Sequence, residues 1–242
     1  MRMAYELCLA TAGKQVPLGP DWIHEVKHDG YRMLVIRENE RVRLFSRNGT
    51  DWTQRYPWIA EAALKNRQKH FVVDGAVILG IDGISDFNAL HSRKHEHEVQ
   101  LYAFDVLAMG GDDLRQLPLH LRKTNLERLL ARRPDGITVA PFERGEIGPD
   151  LYRAACRIGW EGLASKHRDR PYRGGKVKTA PIQQCRGSFD RGLLSYFDPV
   201  AGFAGAVDGA VAGEPAPAPV VVGGLVELVL VAGALVWFDA VV

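Results

Sequence analysis

Short runs of alternating apolar and polar residues recur along the first four-fifths of this chain, separated by turn-forming residues. Residues 22–26 (WIHEV) and 31–37 (YRMLVIR) predict two strands. The residues between them, His28-Asp29-Gly30, predict a hairpin turn, because Asp-Gly between apolar runs favours one. Residues 41–46 alternate as a third strand, and 71–79 (FVVDGAVIL) and 101–109 (LYAFDVLAM) read as buried strands. Helical spacing runs through Trp58, Ile59, Ala62, Ala63 and Leu64, with Pro57 in the first turn. A short helix is expected over 86–92 and an amphipathic one over 118–132, its apolar side formed by Leu119, Leu126, Leu129 and Leu130. A strand over 137–142, a helix over 150–158 and a strand over 160–166 complete the pattern. Strands and helices mix without regular βαβ alternation, which predicts an α+β fold.

The pattern changes near Asp190. Residues 198–242 are almost wholly Ala, Gly, Val, Pro, Leu and Asp, and no Lys or Arg follows Arg191. The run at 220–238 is long enough to raise a membrane span. Glu227 in its middle, its internal glycines and the absence of flanking Lys or Arg argue against one. Two domains are therefore expected: a body over 1–190 and a low-complexity tail over 191–242, either disordered or lying as a strand against the body. Net charge is +2 over 242 residues, but residues 1–191 hold 31 basic side chains and all but five of the 29 acidic ones, a balance of +7. A basic body suits a polyanionic partner. The three cysteines, Cys8, Cys156 and Cys185, are scattered and odd in number, predicting neither a disulfide framework nor a zinc site. The first fifteen residues lack the apolar core of a signal peptide, so a cytoplasmic location is expected.

Candidate chemistry centres on Glu25-Val26-Lys27-His28-Asp29-Gly30-Tyr31-Arg32, which contains Lys-x-Asp-Gly-x-Arg. An unperturbed lysine amine is protonated at neutral pH, and nearby cations or a bound metal favour the neutral, nucleophilic form. The octapeptide resembles motif I of the ATP-dependent DNA ligases, members of a nucleotidyltransferase superfamily that also holds RNA ligases and mRNA capping enzymes. Further segments resemble that family in order and spacing: Ser46-Arg47-Asn48-Gly49 (motif Ia), Tyr102-Ala103-Phe104-Asp105-Val106-Leu107 (motif IIIa) and Glu161-Gly162-Leu163-Ala164-Ser165-Lys166 (motif IV). Asp113-Leu114-Arg115-Gln116-Leu117-Pro118-Leu119 with Arg122, and Pro171-Tyr172-Arg173-Gly174, resemble the bacterial end-joining type and favour DNA ligase over RNA ligase or capping enzyme. The resemblance covers about residues 20–178. It implies an adenylation domain built on antiparallel sheets with flanking helices, using ATP and Mg²⁺ on nicked double-stranded DNA in repair and recombination. By the same resemblance, Lys27 is the nucleophile that carries AMP, and Glu25 reads the adenine amino group. Arg32 and Arg47 contact the nucleotide, Phe104 stacks on the base, Lys166, Lys176 and Lys178 meet the phosphates, and Glu161 holds the metal.

Three departures bear on activity. Where the family has Asp-Gly-Glu, this chain has Asp74-Gly75-Ala76, by substitution or by deletion of one residue. A deletion would flip the following strand's alternation unless a bulge absorbed it, and Asp74 is not expected to compensate. Gly175 runs straight into Lys176-Val177-Lys178, without the aromatic-containing stretch that normally precedes motif V. The tail lacks the cations that an OB-fold DNA clamp needs. Two readings follow: a DNA ligase homologue, impaired or inactive, or a nucleotide- or DNA-binding remnant without ligase activity.

Overall fold

The computed structural model describes residues 5–79, 87–92, 98–132 and 135–185. The tail expected over 191–242 lies outside the described residues. Two sheets dominate. The first is ordered β1-β11-β10-β2-β9, from β1 (Cys8–Ala12), β11 (Gly175–Gln184), β10 (Gly162–His167), β2 (Trp22–Lys27) and β9 (Phe142–Arg144). The second is ordered β4-β3-β5-β6-β7, from β4 (Arg41–Ser46), β3 (Tyr31–Glu38), β5 (His70–Ile78), β6 (Gln100–Met109) and β7 (Asp112–Asp113), with β8 (Ile137–Val139) pairing β6 in parallel. Helices α1 (Pro57–Lys65), α2 (Phe87–Ser92) and α3 (Leu119–Leu129) accompany the second sheet, and α4 (Gly148–Arg157) packs on β10. Helices and mainly antiparallel sheets agree with the α+β expectation.

The second sheet is buried on both faces. Met33, Val35, Leu44, Phe71, Val73, Leu101 and Val106 pack with Ile59, Ala62 and Ala63 of α1 and with Leu126 and Leu129 of α3 in the main core. On the other face, Leu34, Val72 and Leu107 meet Leu7 and Tyr172, which come from the β1 and β10–β11 region. The alternation of β3 between these two clusters is the period-2 pattern of its sequence.

Three expectations need correction, and two strands were not anticipated. His28-Asp29-Gly30 is not a hairpin: β2 pairs with β10 and β9, whereas β3 pairs with β4 and β5. The three residues form a corner at which the chain leaves one sheet for the other, so the long-range partners of each strand override the local turn signal. Gly30 is needed there by close approach, since a Cβ would lie 2.4 Å from the Val77 carbonyl oxygen. The strand expected over 137–142 divides into β8 and β9, which join different sheets, and Pro141 falls in the break. Strands β1 and β11 escaped the sequence pattern. Finally, Cys156 and Cys185 form a disulfide, at a Cα–Cα separation of 5.3 Å. Cysteine count and spacing hold no record of which residues the fold brings together, so the pair was not legible.

The disulfide joins the last turn of α4 to the end of β11 across 29 positions of chain. On a chain-entropy argument, closing a loop of that length is worth about 3–4 kcal/mol. Reduction should therefore lower the melting temperature, and Cys156→Ser should melt where the reduced protein does. Calorimetry with and without dithiothreitol checks this; equal melting temperatures would show that the bridge does not constrain the body.

Candidate active site

Lys27 ends β2, one residue before the corner. In the β2–β10 register Lys27 faces Gly162, Glu25 faces Ala164 and Ile23 faces Lys166, so these positions share one face of the first sheet. Gly162 admits no side chain: a Cβ would stand 2.1 Å from the Gln183 carbonyl oxygen. The Lys27 ammonium is ion-paired with Glu161 Oε1, both side chains being partly exposed. Glu161 Oε2 is buried without a hydrogen-bond partner.

Glu25 lies beneath, with two cations. Its Oε2 accepts from Lys166 Nζ at 2.6 Å and its Oε1 lies 2.7 Å from Lys123 Nζ. Burial raises the Glu25 carboxyl's pKa, but the two ammonium groups outweigh it and hold the pKa below the ordinary carboxylate value. For Lys123, burial dominates, and its pKa is lowered despite Glu25.

The second sheet supplies the opposite wall. Phe104 is the unpaired residue of a β-bulge, because Ala103 pairs with Gly75 and Asp105 with Asp74. The Lys166 ammonium stands 4.5 Å from its ring centroid and the Arg32 guanidinium 5.3 Å. Arg32 donates through Nε and Nη2 to both oxygens of Asp74, at 2.9 and 2.6 Å, and through Nη1 to the Cys8 carbonyl. Burial opposes its charge, but the Asp74 pair prevails and holds the guanidinium pKa above its ordinary value. Tyr172 OH donates to Asp74 Oδ2 and accepts from the Cys8 amide. Burial, reinforced by Asp74, pushes the Tyr172 hydroxyl's pKa up, which keeps it a donor.

Ala76 sits opposite Arg32 in a β3–β5 register that runs unbroken from Tyr31↔Val77 to Glu38↔His70. The strand is in phase, with Ala76 on the same face as Asp74 and Arg32, so the position lacks a carboxylate rather than pointing elsewhere. Asp74 is fully engaged by Arg32 and Tyr172.

Contacts join Glu25, Lys166, Phe104 and Arg32, and the β2–β10 register sets the Lys27–Glu161 pair beside them. Arg47 is exposed in the Ser46–Gly49 turn after β4, and the β3–β4 register sets it level with Arg32. Lys176 does not stand level with Lys27 in the strand register, and the side chain of Lys178 is outside those described. Lys176 pairs with Leu9, while the part of β11 level with Gly162, and hence with Lys27, is Gln184. Eight residues separate Gln184 from Lys176 along β11, whose register against β1 shifts between Val177 and Pro181.

Sequence reasoning missed His28, Trp160 and Lys123. His28 sets its ring edge-on to Tyr102 at 4.9 Å and lies 6.4 Å from Trp160. Burial lowers its pKa to about 4. Lys123 carried a readable signal: with Arg122, it falls at helical spacing between Leu119 and Leu126, on the stripe facing the core.

The chain resembles known proteins over most of its described length. The family model described as ATP dependent DNA ligase domain matches residues 9–180, and the chain belongs to that family. A Pseudomonas aeruginosa relative named multifunctional non-homologous end joining protein LigD is 32% identical over 195 residues, covering 79% of this chain and 23% of its own. A Mycobacterium tuberculosis LigD is 35% identical over 170 residues, covering 69% of this chain and 22% of its own. The chain therefore spans under a quarter of the length of these relatives. Among solved structures, the ligase domain of M. tuberculosis LigD superposes with a TM-score of 0.65 at 31% identity, covering 74% of this chain and 59% of the other. A mycobacterial DNA ligase D complexed with ATP and MES gives 0.64 at 32%, covering 74% and 60%. This chain is an ATP-dependent DNA ligase homologue with the adenylation-domain fold.

One consequence is pH dependence. Unfolded His28 binds a proton near pH 6.5, whereas folded His28 does so only near pH 4. Between those values the unfolded state holds more protons, so stability falls as pH drops through that window. His28→Phe should flatten this part of the stability curve. Urea midpoints at pH 7, 5.5 and 4.5 measure it, and an unchanged slope in the variant would reject the assignment.

Proposed function

We propose that this cleft binds ATP and that Lys27 is the group that takes up AMP, in a chain whose self-adenylation is slow and which does not seal nicks. The supporting observation is the placement of Lys27 against Glu161, between the Glu25–Lys166 pair and the Arg32–Phe104 wall. In the reaction the Lys27 ammonium first gives up a proton to solvent, its Nζ lone pair then attacks the α-phosphorus, a P–N bond forms, and the P–O bond to pyrophosphate breaks in line. Phe104 offers a ring face to the base, Arg32 is held rigidly by Asp74, and Lys166 carries positive charge toward the phosphates.

The orphaned, buried Glu161 Oε2 fits a hard cation that takes its other ligands from water and phosphate oxygens. Glu161 would hold Mg²⁺, which when bound supplies neutralisation of the triphosphate charge. Complete ligation would pass AMP to the 5′-phosphate at a nick in double-stranded DNA, followed by attack of the 3′-hydroxyl.

Slow chemistry follows from two losses. Ala76 removes a carboxylate from the cleft face opposite Arg32, and the register of β11 leaves Gln184, not a lysine, level with Lys27. Groups that meet charge developing in a transition state are worth about 10²–10³ in rate each, and losses acting on one transition state do not simply add. The same observations favour the second reading, a nucleotide- or DNA-binding protein that completes no ligation.

Gel detection of the adenylated protein with labelled ATP and Mg²⁺ separates the readings. Weak, acid-labile labelling that disappears in Lys27→Ala is expected. Ala76→Glu, or a glutamate inserted before Ala76, should raise labelling by about 10² if motif III is the limiting defect. Robust labelling and nick sealing by the unmodified chain would refute the impairment. Complete absence of label, with ATP still bound, would leave the binding-only reading.

A further inference from the structure

Lys123 has no part in the reaction drawn above, yet its side chain is 0% exposed beside the nucleotide cleft. It projects from α3, which packs on β6 of the second sheet, and reaches Glu25 on β2 of the first. Its ammonium is 2.7 Å from Glu25 Oε1 and 4.5 Å from the Phe142 ring centroid. The attraction is chiefly coulombic, with the ring as a second neighbour. Glu25 also accepts from Lys166, whose side chain is 20% exposed. Two cations share one anion, and the cluster carries one uncompensated positive charge. Lys123 is sealed from solvent and cannot present that charge to a ligand. Lys166, lying over Phe104 and reaching the cleft, can.

We propose that Lys123 is a positioning residue that acts through Glu25: by neutralising the shared carboxylate from below, it leaves the charge of Lys166 available to a nucleotide phosphate. This rests on the reading of the cleft as an ATP site. Without Lys123, Glu25 and Lys166 close into a neutral pair and the cleft loses its excess charge. A role confined to stapling the two sheets would alter stability without changing the reactivity of Lys166.

The test is brief acylation of the full chain with acetic anhydride, reading Lys166 against exposed Lys65 by mass spectrometry. In Lys123→Met, labelling of Lys166 should slow about three- to tenfold, the range expected for tightening a partly buried ion pair. Lys123→Arg should label as the unmodified chain does, and the Lys123→Met/Glu25→Gln double variant should recover. Glu25→Gln alone should label faster, which keeps the idea testable should Lys123→Met fail to fold by circular dichroism. Unchanged labelling in folded Lys123→Met, no recovery in the double variant, or an unaltered rate in Glu25→Gln would overturn the proposal. Protection of Lys166 by added ATP reports separately on the nucleotide site. If ATP gives no protection while the variants behave as expected, the ATP reading fails and the charge relay stands.

Discussion

The Asp74 carboxylate is the joint on which the cleft depends. It is wholly buried, and an isolated buried carboxylate would be untenable. Arg32 grips both its oxygens from β3, and Tyr172 donates to it from the segment between β10 and β11. The same Tyr172 hydroxyl receives the Cys8 amide, and Arg32 reaches the Cys8 carbonyl, so one carboxylate ties the second sheet to two segments of the first. Removing one member of such a network leaves the others buried and unpaired, a loss far larger than the net worth of the intact pair. A second bridge lies nearby. Buried Arg122 on α3 donates to Asp105 on β6 and to the carbonyl of Arg170 beyond β10.

Those joints set the geometry of the site more than any local motif does. Lys27 stands where the chain turns the corner from one sheet to the other, and the wall it faces is fixed by Arg32, itself immobilised by Asp74. Phe104 reaches the cleft because a bulge in β6 displaces it from the regular ladder. Glu161 is held from its own backbone as well, since its carbonyl accepts the amide of Cys185, the residue bridged to Cys156. The disulfide therefore borders the segment that carries Lys27's partner.

Ala76 shows how narrowly chemistry is separated from fold. Its strand keeps phase against β3, its neighbours Gly75 and Val77 are buried, and a methyl group stands at that position. Packing is indifferent to the exchange because the position faces the cleft rather than the core. Only a transition state with developing charge would register the missing carboxylate.

Most of the strands and helices, though not β1 and β11, and the segments that would meet at the cleft were legible in the sequence, because hydrophobic period and motif spacing are local properties. Resemblance singled out Lys27, Arg32, Phe104, Glu161 and Lys166 by type and interval. The turn at His28–Gly30 was misread as a hairpin, since strand pairing is chosen by distant residues: Lys27 meets Gly162, and Tyr31 meets Val77. The Cys156–Cys185 bridge, the bulge at Phe104 and the distance of Lys176 from Lys27's level likewise depend on register between remote segments. Lys123 lies between these cases. Its helical phase marked it as facing inward, but the anion that makes a buried ammonium tolerable comes from a strand almost one hundred residues earlier. Tertiary structure alone decides such pairings, because buried charges are stabilised by whatever the fold brings within a few ångströms, not by their neighbours in the chain.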